Sequence, residues 1–154
     1  MGRRTGAVLV SLLLLLTLAV SASAAAVKMT VGVRFWRESG DKESMADSAV
    51  DTTREATLTR QPNGTFTLEL PVKQISSMNM TGRLTGIAIG EVNYDGTLSG
   101  DLSDGTAVLT LKNLPASVLT GSDSSKALAV TCSIKMDTIL LGDITTSAKM
   151  SIWV

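Results

Sequence analysis

Few side chains in this 154-residue chain are equipped for chemistry. It has no histidine, one cysteine (Cys132) and one tyrosine (Tyr94). Without histidine, neither a Ser–His–Asp nor a Cys–His nucleophile can be assembled. A lone cysteine cannot form an intrachain disulfide and gives a zinc ion too few ligands. What remains is a run of acids and hydroxyls, "DKESMADSAVD" at 41–51. Ser44 stands three residues before Asp47, the spacing at which a hydroxyl caps a helix start and an acid reaches back to the cap. The acids here also suit the positive end of a helical turn. The segment predicts one short helical or 3₁₀ turn in the link between the first two strands, with a plain connecting loop as the alternative. A second acidic run, "DGTLSGDLSDG" from Asp95, lacks the ligand register of a calcium loop and reads as Asp-Gly turns. The expectation is a binding protein, not an enzyme.

The elements around that turn read as strands. Val27, Met29, Val31, Val33 and Phe35 alternate with polar or small residues, the two-residue period of a half-buried strand. Ala56 and Leu58 repeat it, "QPNG" at 61–64 signals a tight turn, and Phe66, Leu68 and Leu70 return as the second arm of a hairpin. A strand is expected over 84–92, with Gly82, Gly86 and Gly90 as bends or bulges. Asp95-Gly96 and Asp104-Gly105 mark turns. Leu128, Val130, Cys132, Ile134 and Met136 alternate most clearly, and Ala148, Met150, Ile152 and Val154 should share one face of a last strand. Trp36 and Trp153 fall on the opposite parity from their neighbours' apolar set, which suits packing over a sandwich edge. About eight such strands predict an all-β, immunoglobulin-like antiparallel sandwich.

The first 26 residues read separately. Arg3 and Arg4 precede an apolar run from Ala7 to Val20, and Ala22-Ser23-Ala24 fits a small-x-small cleavage site. The run is shorter than the roughly 20 residues of a membrane helix, so a secretory signal peptide is expected over 1–26 and one domain over 27–154. No second long apolar run follows, so no stable membrane span is expected after cleavage. Removing Arg3 and Arg4 leaves 12 basic against 14 acidic residues, a net charge of −2. With no basic stripe, that balance excludes nucleic acid as a partner.

"VRFWRESGDKESMADSAVD" followed by "REATLTRQPNGTFTLEL" resembles the near-iron transporter (NEAT) domains of bacterial surface and secreted proteins. The resemblance is most specific from Val31 to Leu70. It implies an immunoglobulin-like sandwich that holds haem between a serine–methionine lip and the last β-hairpin. Ser44 matches the lip serine that bonds a haem propionate, and Met45 its apolar neighbour. Family members that ligate haem iron carry two tyrosines four residues apart at the start of the last strand. Here those positions fall at Ile144 and Ala148, with Met150 further along the same face as part of the pocket wall. The resemblance therefore leaves two functions open. One is haem capture or transfer in iron acquisition by a secreted or surface-held domain. The other is a non-haem, protein-binding or structural surface module that meets a host or surface protein.

Overall fold

The computed structural model describes residues 25–138 and 142–154. Most of the expected signal peptide, and residues 139–141, lie outside the described residues. The chain runs as β1 (Val27–Arg37), β2 (Ala56–Arg60), β3 (Phe66–Pro71), β4 (Ile75–Ser77), β5 (Met80–Ile89), β6 (Val92–Asp95), β7 (Thr97–Ser99), β8 (Val108–Leu114), β9 (Leu128–Met136) and β10 (Asp143–Trp153). Three 3₁₀ turns are interposed: η1 (Met45–Ala49), η2 (Ala116–Val118) and η3 (Ser124–Lys126). All strand pairings are antiparallel. The strand count exceeds the eight expected because the Gly-rich middle breaks into the short β4, β6 and β7. The expected 84–92 strand is β5, and it stops at Ile89. Gly90 turns the chain at φ +61°, and Val92 begins β6 as an exposed edge residue.

β1 belongs to both layers of the sandwich. Its first half, Val27–Val31, pairs with β2 in the sheet completed by β3, β8 and β7. Its second half, Gly32–Arg37, pairs with β10 in the sheet completed by β9, β5, β4 and β6. The transfer falls at Gly32, where the Trp153 indole lies so close that no Cβ fits. Trp36 donates its indole N–H to Ser151 Oγ at 2.9 Å and carries the Arg34 guanidinium over its ring at 5.4 Å. Both tryptophans thus pack across the β10–β1 junction, in the middle of the strand order rather than over a sheet edge.

The predicted alternation forms the core. Phe35, Leu58, Leu68, Leu70, Leu109, Leu111, Ile134 and Met150 are almost wholly buried between the layers. Each such side chain contributes about 1.5–3 kcal/mol relative to exposure. Cys132 is buried among them, and burial pushes its thiol up to about 12, far from a reactive thiolate. The 56–70 hairpin forms as expected, with Leu58 opposite Leu68 and Gly64 at φ +85° in its turn. On β10, Ala148, Met150 and Ile152 are buried, but Val154 is 78% exposed because the ladder to β1 ends at Trp153.

Candidate functional site

The segment between β1 and β2 folds as a 3₁₀ turn, η1, pinned to the sandwich by backbone and side-chain bonds. Ser44 donates its N–H to the Phe35 carbonyl at 2.9 Å and receives the Asp47 N–H on its own carbonyl at 3.0 Å. Its hydroxyl accepts from the Ala46 N–H at 3.3 Å, which makes Ser44 the N-cap. The second half of the expected capping box does not form. Asp47 turns away from the cap and accepts the Phe35 N–H at 2.8 Å, so its carboxylate fastens the turn to β1. The Ser44 N–H is already taken by Phe35, which leaves the acid free for that longer-range bond.

Ala46 and Ala49 are fully buried, so small side chains let the turn sink into the layer interface. Beyond it, Lys73 donates its N–H to the Ala49 carbonyl at 2.8 Å, and Val50 bridges to Val72. Asp51 and Arg54 close the segment. Arg54 Nε meets Asp51 Oδ2 at 2.8 Å, and its Nη2 donates to the buried Ala107 carbonyl at 2.7 Å. The Thr53 hydroxyl and the Arg54 guanidinium hold the Asp51 carboxyl down to about 2. Asp47 shifts the other way. Its burial raises it above the ordinary carboxylate range, against the lowering effects of the Phe35 N–H, Arg34 and Lys73.

Ser44 is buried and Met45 is half exposed at the turn's start. Both line a cavity of about 570 Å³, together with Ser48, the cations Arg34, Arg37 and Lys73, and the acids Glu43 and Asp47. That volume lies within the range of small-molecule sites. Arg34 is engaged with Glu43 at 3.6 Å, whereas Lys73 has no ion pair among the described residues. The cavity shares Arg34, Val50 and Thr52 with a neighbouring cleft of about 290 Å³. Val31, Val33, Ala56, Pro71 and Trp153 line that cleft at the point where β1 changes layers. Strand alternation alone gives no sign of it; Gly32 in the middle of a strand is the available signal.

The residues expected to face the turn from the last hairpin sit differently. Ile144 is half buried opposite Ile134, Ala148 is buried opposite Val130, and Met150 is fully buried opposite Phe35. All three share the core-facing side of β10. None of them lines the cavity at Ser44 and Met45. Tyr94 lies on β6, paired with Ile87, and is not among the residues lining that cavity either.

A two-layer antiparallel sandwich, with a 3₁₀ lip between its first two strands and a long hairpin at its end, is NEAT-like in fold. The chain superposes on a single-residue mutant of the NEAT5 domain of IsdX2, solved in complex with haem, with a TM-score of 0.50. That match has 12% identity and covers 83% of this chain and 95% of the other. The NEAT5 domain of IsdX2, a B. anthracis hemophore, also in complex with haem, gives 0.49 at 12% identity, over 83% and 96%. At such identity the likeness is one of fold. No protein-family model and no curated protein matches the sequence at a significant level.

Proposed function

We propose that this chain is an exported, NEAT-like binding domain that takes haem against Ser44 and Met45 and serves iron acquisition without catalysis. The observation that carries this reading is the lip itself. On a fold shared with a haem-bound NEAT domain, a capped serine and a half-exposed methionine stand at a cavity bordered by Arg34, Arg37 and Lys73. Haem is a flat apolar ring with two carboxylates. Lys73 and Arg37, with the Ser44 hydroxyl, suit a carboxylate against the acids Glu43 and Asp47, and Met45 with the Val31, Val33 and Ala56 side of the adjoining cleft suits the ring.

The residues fit the periphery of haem and not its iron. Ile144 and Ala148 offer no donor atom, and the Met150 thioether is sealed in the core. Haem is therefore held through its edges at the lip, and Ile144, Ala148 and Met150, which do not line that cavity, supply it with neither a ligand nor a wall. Export is supported by the basic, apolar and small-residue order of residues 1–26, after which β1 begins at Val27. The same absence of a donor favours a second reading, a protein-binding or structural surface module built on this fold.

Haemin titration separates the two. Protein expressed from the full chain should give a saturable one-to-one Soret band that weakens about tenfold or more in Ser44→Ala/Met45→Ala. Broad, non-saturating absorbance refutes haem binding and leaves the surface-module reading.

A further inference from the structure

Away from the lip, the outer side of β8 carries a polar groove that the haem reading does not use. Leu68 pairs with Leu111 and Phe66 with Leu114, so β3 advances two residues while β8 advances three. The extra residue is a β-bulge at Lys112–Asn113. Asn113 takes φ +62°, a left-handed conformation that is uncommon outside glycine. Leu111 and Leu114 stay fully buried on either side, while Lys112 and Asn113 both turn out to solvent.

These two side chains are shared by two adjoining cavities. One, of about 410 Å³, runs to Tyr94 and Thr97 on β6 and β7; the other, of about 460 Å³, runs to Gln61, Asn63 and Thr67 on the β2–β3 hairpin. β7 ends its ladder to β8 at Thr110, which leaves the groove open along the last part of β8.

We propose that this groove binds a neutral oligosaccharide, at a site separate from the lip. Its lining is what a chain of sugar rings requires. Tyr94, half-buried against the core on the side it shares with Ile87, is the aromatic residue that lines the first cavity. Gln61 Nε2 is bonded to the Thr67 hydroxyl and Asn63 Oδ1 to Thr65, which leaves the Asn113 amide, the Asn63 amide N–H and the Gln61 carbonyl oxygen as donors and acceptors for ring hydroxyls. Asp95 and Lys112 lie together in the first cavity and offset one another, so no net charge selects an anionic polymer. No cluster of aromatic or aliphatic anchors lines either cavity to receive a protein helix or a lipid.

The test is an amide-resolved NMR titration of the protein expressed from the full chain. The probes are chitohexaose, cellohexaose, maltohexaose and xylohexaose, each taken to about 10 mM, the weak end of specific binding. At least one should produce saturable shifts confined to residues 61–67, 92–97 and 110–113. Asn113→Gly keeps the backbone conformation at little cost and removes the amide. Combined with the exposed Lys112→Ala, it should weaken binding at least tenfold while leaving the rest of the spectrum unchanged. The proposal is overturned if none of the four sugars moves these amides, if the shifts lie elsewhere, or if the double variant binds as tightly as the parent. Haemin plays no part in the measurement, so its result stands apart from the lip reading.

Discussion

The turn η1 and the strand β10 are the two regions between which the resemblance would hold haem, and they are built on opposite principles. η1 is fixed by directional bonds: Ser44 to Phe35, Asp47 to Phe35, Lys73 to Ala49, and Arg54 to Ala107. β10 is fixed by burial, with Ala148, Met150 and Ile152 closed into the core. A polar, individually pinned segment can present Ser44 and Met45 at a fixed position without contributing much apolar area. An apolar strand face holds the sandwich together but has no donor atom to offer a metal. The difference teaches that groups suited to recognition are concentrated on one side and stability on the other.

Substitutions should divide along that line. Met150→Ala removes a fully buried side chain opposite Phe35 and should destabilise the fold by about 3 kcal/mol, read from urea unfolding. Equal haemin affinity in the folded fraction would confirm that Met150 is structural.

Arg54→Ala strips the charged donor from the Ala107 carbonyl and should cost about 2 kcal/mol. It should also reduce acid sensitivity. Asp51 titrates at about 2 when folded and near 3.8 otherwise, so its stabilising effect is complete above about pH 4 and lost as pH falls toward 2. A variant whose stability still falls as steeply over that interval would show that Arg54 does not hold Asp51.

Ile144→Tyr tests whether the hairpin wall faces the bound ring. A phenolate there would ligate ferric iron, tightening haemin about tenfold, or about 1.4 kcal/mol, with a new charge-transfer band. No change would place the ring toward Arg34 and the cleft beside Gly32 instead. The smallest effect is expected of Asp47→Asn, which keeps an acceptor for the Phe35 N–H and should move stability at pH 7 by less than about 1 kcal/mol. Its signature lies in pH dependence. Because burial raises the Asp47 carboxyl, its contribution is most favourable below pH 3.8 and is lost as pH rises through its elevated folded value. The asparagine variant should lack that loss, as seen by comparing unfolding at pH 3 and pH 7.

Legibility in the sequence follows the range of the interactions. The β2–β3 hairpin, the β9 alternation and the turn at 44–49 each depend on residues within a few positions of one another, and all are readable. Strand alternation looks the same in either layer, so the division of β1 at Gly32 leaves no trace in periodicity. Asp47 reads as a capping acid because its local spacing is right; its partner, Phe35, lies twelve residues away. The bulge at Asn113 is hidden for the same reason, since a register shift is a relation between two strands. Ser44 and Met45 are found through motif resemblance, while Arg34, Arg37 and Lys73 come together at the lip only through the fold.

The shared strand β1 also bears on the order of assembly. Half of its ladder is with β2, nearby in sequence, but the other half waits for β10, whose Ser151 meets Trp36 across 115 residues. Closing the sandwich is therefore a late, non-local event, slow because so much chain must be ordered first. During synthesis the layer of β1, β2, β3, β8 and β7 can form once β8 has emerged, whereas the second layer must wait for β10.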